Sequence, residues 1–577
     1  MLLSLPSEIF DMIIEEVNHV QGIRNLCLVS KALHRLMLPF LYRKFTISCS
    51  SSIEDGWKLH TPIFVKTYFK EDGTMHVFNS LKFTKDFEVV TSTDFCDLPH
   101  GKYCPRELLP LDHLDPGCEM PTDDTPYSKK SIINNILAIM RYLPKDSLRS
   151  FSWDLGCSVP PEVLGNWGYI VEIQSRITSL SLFDQGRWCP THSAPPAGLF
   201  QLKHLRHFSW IGADIPDKYN ADLLGAIMNA DFSNLESLTL AFSFKCLSVS
   251  VGRRDSLVFP QPNIAMSLPK LRFLSLQYID LGPICNELAT PTFISGLRTL
   301  KLTSCAGSLL LLDTAIRSNY AINIRSFTLA IHCKGDMEGQ PRDVVERFLV
   351  SFEGLEELHI HIAPDKPSHI VPAVCNAFVH HKETLRRLSY YHTDRLDIKN
   401  DDIHYRLPCY HLVGTICKEL RLQNFGFSLL PGILKQQLGP IAATQPFRFL
   451  YLRTANTVGA QLRSHLYCVQ PLENDKVMFT KTKSGRDPIT VGKILRFAQW
   501  AFGPTGFPKL SIFAVGSFQP GQNSYLTFCR RQAHEPSLGE AFPEPKLLAK
   551  YNTFRMMTAK DDVLWSDIEG GRDMLLP

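Results

Sequence analysis

A six-residue pattern, apolar-x-x-apolar-x-apolar, recurs along most of this chain and constrains its fold more than any other feature. Copies begin at Leu148, Ile177, Leu205, Leu235, Leu271, Leu297, Ile324, Leu355, Leu385, Cys417 and Phe447, at intervals of 26 to 36 residues. Another begins at Leu510, and an early one at Phe78 (Phe78-Leu81-Phe83). The last two apolar positions of each copy are two residues apart, which places both side chains on one face of a β-strand. Between copies the apolar spacing turns helical, as at Leu223, Leu224, Ile227 and Met228, or Val344, Val345, Phe348 and Leu349. The same pattern at Leu33-Leu36-Leu38 sits inside a helical stretch. The regular interval between copies therefore carries the argument, rather than the pattern itself.

One strand and one helix cannot bury their apolar faces alone, so neighbouring units must stack. The expected fold class is α/β, a short helical segment followed by a leucine-rich-repeat solenoid with parallel strands on the concave face and helices on the convex face. The expected domains are 1–48, a helical module; 49–147, a connecting or capping region with a loop insertion at 86–130; 148–520, an irregular repeat array; and 521–577, a C-terminal cap or tail.

The helical module, Leu3 to Ile47, is unusually apolar. Pro6 suits a first helical position, where its missing N–H is unpaired in any case, and Glu8 follows where the helix dipole favours an acid. Ile9, Met12, Ile13 and Val17 form one stripe, with Leu5, Phe10 and Ile14 to one side. Leu26, Val29, Leu33 and Leu36 continue at helical spacing, and Pro39 is expected to stop that helix before Phe40, Leu41 and Tyr42. So much apolar surface on short helices exceeds what their own core uses, and predicts a partner.

LPSEIFDMIIEEV followed by LCLVSKALHRLMLPFLYRKFTI resembles an F-box, particularly the form common in filamentous fungi. The family's opening Leu-Pro is Leu5-Pro6, with its acid at Glu8. Its Leu-x-x-Val-Ser/Cys-Lys motif is Leu26, Val29, Ser30 and Lys31, while the Trp that often follows is replaced by Ala32-Leu33. The long, loose repeat intervals resemble those of fungal F-box proteins with leucine-rich repeats. The resemblance implies docking on a Skp adaptor, and through it a cullin, by Leu5, Pro6, Ile9, Ile13, Leu26, Val29, Leu33 and Leu41. It further implies a substrate-recognition subunit of a Skp–cullin–F-box ubiquitin ligase, tethering an unknown target protein. The alternative is a non-ligase scaffold that binds the adaptor and a partner.

Composition fits that class. Hydrophobic content of 44% and charged content of 20% describe a globular chain. A net charge of +4 over 577 residues predicts nothing about nucleic acid, and no nucleic-acid partner is expected. The apolar runs are too short to span a membrane, and Met1–Phe10 lacks the features of a signal peptide. Sixteen cysteines without such a signal predict reduced thiols in cytoplasm or nucleus.

The sequence carries no phosphate-binding loop, dinucleotide fingerprint, zinc-protease helix or nucleophile elbow. Neither catalytic residues nor a cofactor are expected. Cys96, His100, Cys104, His113 and Cys118 cluster, but without the C-x₂-C pair that strong zinc motifs begin with, so no metal is assigned. His380-His381 reads as a pair of surface histidines. For partner contacts, the residue between the two inward apolar positions of each strand should line the concave face. These are Ser152, Ser181, Ser209, Thr239, Ser275, Lys301, Thr328, His359, Ser389, Arg421 and Tyr451. Of them His359, Arg421 and Tyr451 are the expected partner-binding residues, since Arg and aromatic side chains dominate interface hot spots.

Overall fold

The computed structural model describes residues 20–52, 56–60, 78–91, 129–155, 158–183, 198–213, 232–242, 268–331, 343–362, 377–392, 412–427, 431–453, 491–517, 524–531 and 552–557, with Ile9, Met12, Ile13, Ile14, Val17, Ile227 and Leu564. The chain divides into two compact units, Met1–Pro105 with Leu109–Arg272, and Arg106–Leu108 with Phe273–Pro577.

The first unit opens on helices α1 (Val20–Val29) and α2 (Lys31–Leu41). Strands β1 (Lys44–Ser52), β2 (Gly56–His60), β3 (Asp86–Thr91), β4 (Ser150–Asp154), β5 (Ser179–Phe183), β6 (His207–Ala213) and β7 (Ser237–Phe242) follow, with α3 (Lys129–Met140) ahead of β4. Strand β1 pairs antiparallel with β2 and parallel with β3, and β3 to β7 then pair in parallel, each with the next. The register puts Phe45, Phe87, Phe151, Leu180, Phe208 and Leu238 in one buried row. Phe45 and Phe87 stack at 5.6 Å, and Phe87 and Phe151 at 6.2 Å.

The ladder therefore starts at Lys44, well ahead of Leu148, and the segment 86–130 begins with a ladder strand and ends in α3 rather than being all insertion. The early copy at Phe78 is a 3-10 helix (Phe78–Phe83), and the strand comes after it. The first apolar position of the true copy is Thr84. Its side chain is fully buried, with Oγ1 donating to the Tyr42 carbonyl at 3.2 Å. A hydroxyl satisfied in this way stands in for a leucine, and hides the repeat from an apolar pattern.

The second unit contains β8 (Phe273–Gln277), β9 (Thr299–Thr303), β10 (Ser326–Ile331), β11 (Glu357–Ile362), β12 (Arg387–His392), β13 (Asn424–Phe427), β14 (Phe449–Arg453) and β15 (Ile512–Ser517), paired in parallel in that order. Antiparallel β16 (Ser524–Arg530) and β17 (Phe554–Met556) close its last edge. Helices α4 (Ser308–Arg317), α5 (Val344–Val350), α6 (Leu412–Glu419), α7 (Pro431–Leu438) and α8 (Val491–Ala501) fall between strands. Phe327 of β10 meets Phe348 of α5 at 5.1 Å, and Phe513 of β15 meets Phe497 of α8 at 5.3 Å, which defines the helix side of this sheet. Each unit is thus a mostly parallel sheet with helical segments between strands, an α/β architecture of leucine-rich-repeat kind.

One hydrogen-bond device sets the register. The carbonyl just before most of the parallel strands accepts two N–H groups from the next repeat. Thr178 and Ser179 donate to Arg149 O at 2.9 and 3.0 Å, Arg325 and Ser326 to Arg298 O at 2.8 and 3.0 Å, and Arg448 and Phe449 to Gln423 O at 2.7 and 3.2 Å. Register also corrects one expected copy. Leu388, Phe425 and Leu450 are partners, so the copy begins at Leu422; Cys417 lies on α6. Among the described residues no helix is long and apolar enough to cross a membrane.

Candidate functional site

Two regions carry the expected contact residues, the α1–α2 hairpin in the first unit and the face of the second unit's sheet opposite its helices.

The hairpin has a small core of Ile14, Ile23 and Met37, against which Val17, Leu26, Cys27, Phe40 and Leu41 pack half-buried. Ser30 lies between the helices in an extended conformation (φ −159°, ψ 157°), and its Oγ accepts from Leu33 N at 3.2 Å, an N-cap. The Val29-Ser30-Lys31 motif therefore spans a break, with Val29 ending one helix and Lys31 starting the next. Pro39 lies inside α2 instead of stopping it. It forfeits a single backbone bond near the helix end, and Tyr42 N still closes the last turn on Leu38 O at 3.0 Å.

With that core closed, large apolar side chains remain in solvent: Leu28 at 84% exposure, Val29 at 69%, Met12 at 62%, and Ile9, Leu36 and Ile13 at 44%, 41% and 36%. Of the expected adaptor-binding residues, Ile9, Ile13 and Val29 are presented outward. Leu26 and Leu41 are packed on the hairpin core, and Leu33 is buried rather than presented. Leu5 and Pro6 lie outside the described residues. Leu28 lies off the apolar stripe, and only the turn of α1 shows its exposure.

The expected partner-binding residues of the second unit are placed differently from expectation. His359 and Tyr451 hold the ladder position as read, but they are 5% and 1% exposed. Arg421 is solvent-exposed and precedes β13. The ladder position there belongs to Gly426, in register with Ser389 and Tyr451. Tyr391 is the centre of this face. His359 and Tyr451 rings lie 5.4 and 5.5 Å from it, and the Arg453 guanidinium sits 5.0 Å over its ring. Tyr451 donates to Gly516 O at 3.2 Å. Burial raises the Tyr391 phenol above its ordinary pKa, outweighing the opposing effects of the Ser389 hydroxyl and the Arg453 charge, so the ring stays neutral.

Tyr391, Phe449, Tyr451, Ile512 and Ala514 form one buried cluster, and Met557 and Leu564 pack against it. Residues from the chain's own C-terminal part thus occupy a face expected to be open. Thr328 and Ser389 are buried too, whereas Ser275 and Lys301 of the same unit, and Ser152, Ser181, Ser209 and Thr239 of the first, are partly exposed.

Among the described residues of these regions no nucleophile is placed beside a base. Burial pushes the Cys285 thiol up to about 12, with Asp280 and Glu287 adding to it, and burial also raises Cys417. Such thiols are inert. His381 is buried rather than at the surface, its Nε2 2.8 Å from Leu349 O, while His380 Nε2 lies 3.0 Å from Phe352 O. Among the described residues no group of three or more His, Cys, Asp or Glu is placed to hold a metal. Cys96, His100, Cys104, His113 and Cys118 lie outside them.

No protein-family model and no curated protein matches this chain. Among solved structures it is similar to an internalin from Listeria monocytogenes, at 11% identity, with 56% of this chain and 82% of that chain covered and a TM-score of 0.27. So slight a likeness carries no argument, and the fold rests on the strand ladder itself.

Proposed function

We propose that this chain is a non-catalytic, substrate-recognition subunit of a Skp–cullin–F-box ubiquitin ligase, acting in cytoplasm or nucleus. In this reading the α1–α2 hairpin docks on the Skp adaptor and the repeat ladder holds a target protein. The observation that carries it is the apolar surface left on a hairpin whose own core is complete. Leu28, Val29 and Leu36 stand in water, as do Ile9, Met12 and Ile13, and so many exposed large apolar side chains in one short module mark an interaction site. The chain would do no covalent chemistry itself. It would raise the effective concentration of target lysines near the conjugating enzyme, a tethering effect.

The test uses the full-length chain and its Val29→Glu/Leu36→Glu variant. The wild type should retain the Skp adaptor in a pull-down, and the variant should lose it while keeping the same melting temperature, since both residues are exposed. Equal retention by both proteins would remove the docking role of the hairpin. Adaptor capture without a cullin, and without any change in partner half-life, would favour the scaffold role instead.

A further inference from the structure

At the N-terminal edge of β5, β6 and β7, three successive turns form an open cavity of about 380 Å³, lined by Arg176, Thr178, His204, Arg206 and Asn234. The repeat itself brings these residues together. Arg176, His204 and Asn234 hold the same position, three residues before their strands, and Thr178, Arg206 and Glu236 stand directly before those strands. Adjacent turns are therefore one strand spacing apart, about 4.8 Å.

The lining offers two guanidiniums and an imidazole as donors, while the Asn234 amide already donates to Lys203 O at 3.4 Å. Two of its walls are fixed by other bonds. Thr178 Oγ1 donates to Arg149 O at 3.1 Å, and Asn234 Oδ1 accepts from Lys270 Nζ at 2.8 Å, which brings a further cation alongside. Compensation by acids is thin. Arg206 Nη1 lies 3.6 Å from Glu236 Oε1, with both side chains largely in water, where such a pair contributes little. The corresponding Arg325–Glu356 pair of the second unit closes to 3.1 Å. Among the described residues, Arg176 has no acidic partner.

We propose that this cavity is an anion site for a phosphoryl-bearing small molecule, with the Arg176 and Arg206 forks gripping the phosphoryl oxygens. Planar guanidiniums match phosphate bidentately, and charge-assisted bonds of this kind are the strong ones. Two forks on adjacent turns suit adjacent phosphoryl groups, or the several oxygens of one. The volume falls at the small end of the range of ligand pockets, about 300–1,000 Å³. Glu236 competes with the ligand for Arg206.

The full-length chain is titrated calorimetrically, in phosphate-free buffer at fixed ionic strength, with pyrophosphate, phenyl phosphate and citrate. Saturable binding of at least one phosphate probe is expected, with citrate weaker by about tenfold or more. A preference for pyrophosphate points to a diphosphate, and a preference for phenyl phosphate to an organic monoester. Arg176→Gln and Arg206→Gln should each weaken binding by about tenfold, and Glu236→Gln should tighten it several-fold. All three positions are exposed or half-exposed, and circular dichroism checks that the variants fold. Absence of saturable binding by either phosphate probe overturns the proposal. So does binding unchanged in both arginine variants, citrate bound as well as phosphate, or an equal loss in Arg298→Gln, which lies outside the cavity.

Discussion

Single residues in this chain are decided by what stacks one repeat away. A Cβ at Gly426 would overlap the Tyr391 hydroxyl and approach Ser389 Oγ to 2.7 Å, and both neighbours are fully buried. Gly426→Ala should therefore cost about 1–3 kcal/mol, the usual range for overpacking a closed core. Tyr391→Phe in the same chain should recover part of it, as read from urea midpoints. His381 gives a pH signature. Burial lowers its pKa from 6.5 to about 4, assisted by His380 and opposed by the Leu349 carbonyl and Glu353. The native ring is neutral, and its Nε2 must carry the proton to donate to Leu349 O. Between pH 6.5 and about 4 the unfolded chain binds the extra proton and the native chain does not, so stability rises with pH across that window. Denaturant melts of wild type should weaken as pH falls through it, and His381→Gln should flatten that part of the slope. An unchanged slope would mean that the ring titrates normally.

Elements are held by end contacts as much as by their faces. Strand β16 runs antiparallel to the ladder, and the side chain of its last residue ties its end to the segment before β15. Arg530 donates to Phe502 O and Phe507 O at 2.8 Å each and to Leu510 O at 3.3 Å, with its guanidinium 5.7 Å over the Phe502 ring. Burial lowers its pKa from the ordinary guanidinium value, but arginine stays charged throughout the working range. Arg530→Met should cost about 2–4 kcal/mol, because several charge-assisted bonds go and buried carbonyls lose their donor. Amide exchange should show the loss first at Leu526–Cys529. The α1–α2 hairpin illustrates how far an element is legible beforehand. Its helices follow from apolar spacing, yet Pro39 inside α2 and the Ser30 break depend on which backbone groups find partners, and composition does not specify that.

At the scale of the molecule, the C-terminal part serves the sheet of its own unit in two ways. Strand β17 pairs with β16 and shortens an open edge, and Met557 and Leu564 cover the Tyr391–Tyr451 cluster. Ending the chain at Arg531 should expose both, an unpaired strand beside an apolar face, which is a recipe for association. Increased dye binding and a shift to larger species on gel filtration are the expected outcomes; a monomer with wild-type dye binding would show that other parts of the chain do the covering.

The sequence alone determined the repeat and the inward positions of most strands from Leu148 onward, because alternation along a strand is a local property and copies that recur every 26 to 36 residues stand out across the loops between them. It also marked the N-terminal helices as too apolar for their size. Only the tertiary structure decided where the ladder begins, since Thr84 takes a core position through a hydrogen bond to Tyr42. It placed β13 by pairing, which moved the ladder position from Arg421 to Gly426. It also turned His359 and Tyr451 from surface residues into buried ones: His359 packs against Tyr391 of the neighbouring strand, and the cluster holding Tyr451 takes Met557 and Leu564 from far later in the chain, a burial that no local pattern reports.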